Sequence, residues 1–238
     1  MSFFTIRRIQ AQIAVLIMLG CCLFLAGGHS AGAATTDTTW TGKVSTNWDD
    51  AGNWDNGVPT AGDGFKAIVP GYLERNPIIA KSGSQVGNSL TILSGAKLVL
   101  NGDLEVNGAI IIDVGGEIQV GEGAVLKSYG NYNWIVNGTL LLQPDSTAWL
   151  EPTENACGSI VLTKSGSLVA RGNQEKPITI KGSPYPRTMK NLSIQGSTNI
   201  IMEYVTMFNV QTGIGVSVTP KGSRLSNLKL GGGSLFSI

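Results

Sequence analysis

Two carboxylates, Asp103 and Glu117, have the spacing in this sequence that best suits catalysis. They are separated by a 14-residue interval, and apolar strings recur at the same interval in this part of the chain. If this interval corresponds to one structural unit, the two side chains stack as an acidic pair on neighbouring units. Such a pair supplies the acid and the base or nucleophile of glycoside hydrolysis, and it also suits a calcium ion. We favour the alternative, in which both are solvated side chains of an outer face, with no catalytic residue and no cofactor or metal.

The amino terminus has the pattern of a secretory signal peptide. Two arginines precede an apolar run over residues 13–26, and Ala31 and Ala33 then supply the small residues that a signal peptidase needs. The apolar run is shorter than the roughly 20 residues that span a bilayer. We therefore predict cleavage after Ala33, no membrane span in the mature chain, and a location that is secreted, periplasmic or on the outer surface of a bacterium.

Removal of the signal peptide restricts the chemistry of the mature chain. The only histidine, His29, is lost with it, which excludes a histidine-based triad, a histidine general base and histidine metal ligands. The mature chain keeps 15 basic and 16 acidic residues, and this near-neutral balance argues against nucleic acid as a partner. Cys157 remains as the single cysteine, so an intramolecular disulfide cannot stabilise the fold.

The elements that would position any site are short strands. Leu90, Leu104 and Ile118 each open a string of alternating apolar residues that is followed by a glycine turn, and a looser copy begins at Ile160. Self-similar units of this kind are typical of a solenoid, in which each unit buries its apolar face against its neighbours. We predict an all-β fold, a right-handed parallel β-helix. An antiparallel sandwich is the alternative, because the Asn-Gly pairs of this region also suit hairpin turns.

The sequence divides into three segments. We expect a signal peptide over residues 1–33, a capping and first-coil region over 34–88, and β-helix repeats over 89–238. No closing helix or charged segment follows the last repeat, so the repeats are expected either to meet another subunit at that end or to belong to a longer chain.

Three tryptophans, Trp40, Trp48 and Trp54, mark the beginning of the mature chain. Indole rings bury a large apolar area, so we expect them to cap the open first coil. The alternative is a platform on which sugar rings stack.

This tryptophan-rich stretch and two later blocks carry a family resemblance. The segments Trp40–Gly42, Asn47–Asp49, Asn53–Pro59 and Ala61–Asp63, with the later Pro177–Ile180 and Met202–Val205, are similar to secreted bacterial right-handed parallel β-helix surface proteins of the autotransporter-like and adhesin-like kind. The resemblance implies a structural or adhesive surface role. Some polysaccharide-active enzymes share these motifs, so the resemblance indicates architecture more than function.

A second aromatic cluster, Tyr129, Tyr132 and Trp134, interrupts the repeat and is the candidate ligand-binding site. We expect it to contact a polysaccharide or a cell-surface partner. The function predicted from the sequence is an exported β-helix protein with a structural or adhesive role and no catalysis. The alternative is a polysaccharide-active enzyme, hydrolase-like or lyase-like, or a carbohydrate-binding module on the same fold.

Overall fold

The structure is a computed structural model that describes residues 37–151, 158–182, 191–194, 199–213, 224–231 and 235–237. All of them belong to one compact unit, Thr35–Ile238. The described residues form short β-strands and one turn of 3₁₀ helix, Ala51–Asn53, and none of their helices has the length and apolar character needed to cross a membrane. The strands are β1 (Asp37–Thr39), β2 (Lys66–Val69), β3 (Ile78–Ile79), β4 (Ser84–Val86), β5 (Leu90–Ile92), β6 (Lys97–Leu100), β7 (Leu104–Val106), β8 (Ile110–Ile112), β9 (Glu117–Val120), β10 (Val125–Tyr129), β11 (Trp134–Val136), β12 (Thr139–Leu142), β13 (Thr147–Glu151), β14 (Ser159–Leu162), β15 (Ser167–Arg171), β16 (Ile178–Lys181), β17 (Asn191–Ile194), β18 (Asn199–Glu203), β19 (Val205–Phe208), β20 (Gln211–Gly213), β21 (Arg224–Ser226), β22 (Lys229–Gly231) and β23 (Leu235–Ser237).

These strands build three parallel sheets of seven strands each. The first sheet has the order β1-β2-β5-β8-β11-β14-β17, the second β21-β18-β15-β12-β9-β6-β3, and the third β22-β19-β16-β13-β10-β7-β4. Strands β20 and β23 form a separate parallel pair. Each turn of the chain adds one strand to each of the three sheets, and about six turns are complete. The predicted all-β parallel β-helix is confirmed, and the antiparallel sandwich is wrong.

The core is a set of ladders of inward-facing apolar side chains. In the first sheet, Leu90 lies next to Ile110, which lies next to Trp134, and Trp134 lies next to Ile160. All four are buried, because alternate residues of a strand point to opposite faces of the sheet. Burial of one such side chain contributes about 1.5–3 kcal/mol, so the stacked coils stabilise one another.

The coil is longer than the 14-residue interval found in the sequence. Leu90 pairs with Ile110 in the next coil, and Leu104 pairs with Leu126. The 14-residue interval therefore corresponds to two strand-and-turn units, whereas one coil contains three. Leu90, Leu104 and Ile118 lie on the first, third and second sheets respectively. The units resemble one another because every strand alternates inward apolar residues with a turn, whichever sheet it joins.

The three amino-terminal indoles are buried. Trp54 contacts both Trp40 and Trp48 edge to face, with ring centroids 5.4 and 4.6 Å apart. The Nε1 of Trp54 donates to the carbonyl of Trp48, and the Nε1 of Trp40 donates to the carbonyl of Arg75, both at 2.8 Å. No ring face of the three is free for a sugar, since all are at most 5% exposed. Their burial agrees with the capping interpretation and contradicts the stacking platform.

Asn53 organises the loop that carries these indoles. Its buried amide oxygen accepts hydrogen bonds from the backbone N–H groups of Val44 and Ser45, both at 2.9 Å. Its amide nitrogen donates to Ser45 Oγ at 3.0 Å and to the carbonyl of Asn47 at 2.9 Å. One side chain thus satisfies four polar groups of the loop, which would otherwise lack regular backbone pairing.

Candidate functional site

The two carboxylates singled out by their spacing lie on different sheets. Asp103 precedes β7 of the third sheet, and its Oδ1 accepts from the backbone N–H of Val125 at 2.9 Å. Glu117 begins β9 of the second sheet and forms an ion pair with Lys97 of the neighbouring strand at 2.9 Å. The stacked acidic pair, which was the less favoured interpretation of this spacing, does not form, because the interval between the two residues is shorter than one coil and does not bring the chain back to the same sheet.

The second aromatic cluster is divided between the core and the surface. Trp134 points inward from β11, is 1% exposed and donates from Nε1 to Ser128 Oγ at 2.6 Å. It cannot contact a ligand on the surface, so the prediction is wrong for this residue. Tyr132 is half exposed, and Tyr129 lies on the outer face of the third sheet. For these two tyrosines, a role in ligand binding stays a prediction.

The third sheet carries a continuous line of outward side chains, which we call the outer row. The register of the sheet places one member from each strand in this line, namely Gln85, Glu105, Lys127, Trp149, Lys181, Phe208 and Gly231. Neighbouring strands lie about 4.8 Å apart, so from Gln85 to Phe208 the row presents one side chain per strand along the axis of the coil, and the last strand contributes only the backbone of Gly231. Aromatic and charged residues make up most of it.

Lys127 is the centre of a polar cluster within the outer row. It is only 8% exposed, and its Nζ lies 2.5 Å from Glu151 Oε2 and 2.6 Å from Tyr129 Oη. The same ammonium lies 3.8 Å from the ring centroid of Trp149. A cation removed from water needs such partners, so the cluster holds the lysine side chain in one place.

The environment of Lys127 favours its charged form. Burial alone would lower the pKa of this ammonium, but the hydrogen bonds and charges of Glu151 and Tyr129 outweigh burial and raise the pKa above its ordinary value of 10.5. Lys127 therefore stays protonated at neutral pH and cannot serve there as a general base.

Two carboxylates flank this cluster. Glu105 accepts from Tyr129 Oη and from Gln85 Nε2, both at 3.2 Å. Glu151 accepts from Lys127 on the opposite side. The five residues form one continuous chain of hydrogen bonds, in which Tyr129 and Lys127 stand between the two carboxylates. A side-chain network of this kind rigidifies the surface that carries it.

Trp149 lies between two cations. Lys181, from the next strand, places its Nζ 3.8 Å from the centroid of the same ring that Lys127 contacts. Each cation over a ring contributes about 0.5–2 kcal/mol. Phe208 follows on the next strand and is 39% exposed. Towards its last strands the row thus contains a lysine held over an indole ring and then an exposed aromatic ring, and it ends at Gly231.

The sequence contained a signal for this site that the 14-residue interval obscured. Glu105, Lys127 and Trp149 recur at one constant spacing, which is the local length of a coil. If the sequence is divided into segments as long as one coil and these segments are aligned, the three residues fall in the same column. Lys181 follows Trp149 after a wider spacing, because the later coils are longer.

No metal centre is evident within the described ranges. Among those residues, no three or more histidine, cysteine, aspartate or glutamate side chains come close enough to hold a metal ion together. The calcium alternative raised by the sequence rested on Asp103 and Glu117, which lie on different sheets.

Part of the chain matches a known family model. Residues 39–141 match a family described as "Domain of unknown function (DUF8693)". The matched segment runs from the buried tryptophans to β12 and covers fewer than half of the 238 residues. It includes Lys127 and Tyr129 but ends before Trp149. Neither the curated proteins nor the solved structures gave a match.

Proposed function

We propose that this chain is an exported bacterial protein of the cell surface or extracellular space. Its β-helix acts as a rigid support, and the outer row of the third sheet binds a glycan or another cell-surface partner without catalysis. The observation that carries the proposal is the alignment of five charged or aromatic side chains on consecutive strands of the third sheet, from Glu105 to Phe208. Aromatic rings bind the apolar faces of sugars, and charged groups fix their orientation.

The spacing of the outer row supports a linear ligand. Strands of a parallel sheet repeat about every 4.8 Å, which is close to the length of one hexopyranose in an extended chain. A polysaccharide lying along the coil axis would therefore meet one side chain of the row per sugar. The stacked coils hold these side chains at fixed intervals, so little conformational entropy is lost when the ligand binds.

The signal-peptide pattern and the resemblance to secreted β-helix surface proteins support export. An exported protein with a glycan-binding face would meet its ligand at or outside the cell envelope. In this role the β-helix contributes length and stiffness, and the outer row contributes contact.

A polysaccharide-active enzyme is the second candidate, and one observation favours it. Glu105 and Glu151 lie on either side of Tyr129 and Lys127, so two carboxylates share one surface, as glycoside hydrolysis requires. Against this reading, Glu151 is held by an ammonium and Glu105 by two hydrogen-bond donors. Both carboxylates are thus already engaged within the protein, which suits a binding surface better than a reaction.

The test combines localisation, binding and product release. The full chain is expressed in a bacterial host, and the exported form is recovered and sequenced from its amino terminus, with Ala34 expected first. That protein is then offered a panel of bacterial and plant polysaccharides, and reducing ends are measured in the same wells. We expect binding without product. Retention of the chain in the cytoplasm would contradict export, and accumulation of product would favour the enzyme.

The variant for this test is Phe208→Ala, with Tyr72→Ala as its matched control. Both residues are exposed aromatics, but Tyr72 is 87% exposed and lies in the segment between β2 and β3, outside the outer row. We expect Phe208→Ala to weaken polysaccharide binding at least fivefold and Tyr72→Ala to leave it unchanged. Equal effects of the two substitutions would contradict binding by the outer row.

A further inference from the structure

The two halves of the mature chain carry opposite charge. Residues 34–151 contain 6 lysines and arginines against 13 aspartates and glutamates, a net of −7, whereas residues 152–238 contain 9 against 3, a net of +6. The second of these halves therefore attracts anions, although the chain as a whole is nearly neutral.

Phe208 is the exposed ring in this basic part of the outer row. Its strand neighbours in the row are Lys181 on one side and Gly231 on the other. A Cβ atom on Gly231 would lie 2.5 Å from Phe208 Cε1, so the ring lies against the bare backbone of β22. Because the glycine has no side chain, the ring can pack directly on the backbone of this strand while more than a third of Phe208 stays exposed.

Two lysines, Lys181 and Lys229, flank this ring. Lys181 Nζ is held over Trp149 at 3.8 Å, and Lys229 lies on β22, paired in register with Thr206. In the described part of the chain, no carboxylate lies within 4.0 Å of either ammonium. The two lysines belong to strands that are two positions apart, which corresponds to about 10 Å along the coil axis. Lys127, in contrast, is neutralised by Glu151.

We propose that Phe208, Lys181 and Lys229 form a subsite for an acidic polysaccharide. One sugar ring stacks on Phe208, and its carboxylate, or that of the next sugar, binds the ammonium groups on either side. This inference deepens the proposed function and rests on it, since it names the class of glycan that the outer row selects.

The experiment compares two polymers that share one backbone. Carboxymethyl cellulose carries carboxylates and hydroxyethyl cellulose is neutral, and both are titrated with the exported full chain by affinity electrophoresis. We expect at least tenfold tighter binding of the carboxylated polymer, and a loss of that preference as salt is raised, because exposed charges are screened.

A double variant tests the residues. Lys181→Gln with Lys229→Gln should reduce affinity for carboxymethyl cellulose about tenfold or more. The control, Lys43→Gln with Lys164→Gln, removes the same charge from exposed positions outside the third sheet and should change affinity less than twofold. Circular dichroism checks that each variant keeps the wild-type fold.

Three results would overturn the inference. Equal binding of both polymers, unaffected by the double variant, would leave a neutral-glycan surface and preserve the proposed function. Equal losses in the double variant and its control would mean attraction by net charge alone. Binding of neither polymer by the exported chain would refute the acidic subsite, whereas glycan binding by the outer row would fail only if the chain also bound nothing in the polysaccharide panel.

Discussion

Replacement of Glu151 by glutamine tests whether the cluster around Lys127 stabilises the fold. The substitution keeps the shape of the side chain but removes the negative charge that lies 2.5 Å from Lys127 Nζ. Tyr129 Oη and the Trp149 ring remain as partners of the ammonium. The variant therefore isolates the energy of one charge pair in a largely buried setting.

The exposure of the two partners sets the expected size of the effect. A hydrogen bond to a charged group contributes about 1.5–3 kcal/mol, and loss of one partner of a fully buried pair costs about 3–5 kcal/mol. The Lys127 side chain is 10% exposed but that of Glu151 is 34% exposed, so water compensates part of the loss. We expect the free energy of unfolding to fall by about 2 kcal/mol, and Tm to fall by about 4–8 °C for a domain of this size.

The assay is urea unfolding followed by tryptophan fluorescence, with Glu117→Gln as the matched control. Glu117 also forms an ion pair with a lysine of the neighbouring strand, at 2.9 Å, but the side chain of Lys97 is 40% exposed. An exposed pair contributes about 0–1 kcal/mol. If Glu151→Gln destabilised the protein no more than Glu117→Gln does, the cluster around Lys127 would not be a stabilising element.

The same pair has a pH dependence of known sign. The pKa of Lys127 is raised in the folded protein, so its contribution to stability is complete below the unfolded pKa, about 10.5. The contribution is lost as pH rises through the higher folded pKa. The difference in unfolding free energy between wild type and Glu151→Gln should therefore be constant from about pH 7 to 9 and should shrink above about pH 10.5. A difference that grew with pH would contradict the assignment.

Two further substitutions test the cap and the turns, each by urea unfolding. Asn53→Ala removes the amide oxygen that accepts from the Val44 and Ser45 N–H groups. We expect the free energy of unfolding to fall by about 2–4 kcal/mol. A loss below about 1 kcal/mol would show that water replaces the amide. Gly138→Ala would place a Cβ 2.2 Å from the carbonyl oxygen of Gly116 and should destabilise by more than about 2 kcal/mol. Gly62→Ala meets nothing within 4 Å and should be neutral, so equal effects of the two alanines would refute the steric argument.

The fold could be predicted from the sequence because its cause is local and repeated. The alternation at Leu90 and Ile92, or at Leu104 and Val106, specifies an inward and an outward face at each strand. The burial of Trp40 also followed from its chemistry. The number of strands per coil could not be read in this way, because strand-and-turn units on different sheets have the same local pattern.

The candidate site could not be predicted for the same reason. Tyr129 was selected because it belongs to an aromatic cluster in the sequence. The two carboxylates near it, Glu105 and Glu151, lie on the preceding and following coils and are brought close only by the register of the sheet. Trp134 was predicted on the surface but points into the core. Side chains of a strand alternate between its two faces, so an error of one residue in the assumed register reverses the face to which a residue is assigned. Once the length of the coil is known, the sequence alone predicts that Glu105 and Trp149 lie next to Lys127 on neighbouring coils.

Binding of the exported full chain to a polysaccharide panel, for wild type and Phe208→Ala, with reducing ends measured in parallel, would decide whether the outer row is a non-catalytic binding surface. We expect wild type to bind a polysaccharide and release no product, and Phe208→Ala to bind it at least fivefold more weakly. Product release by wild type, or equal binding by both proteins, would contradict a non-catalytic adhesive role for the outer row.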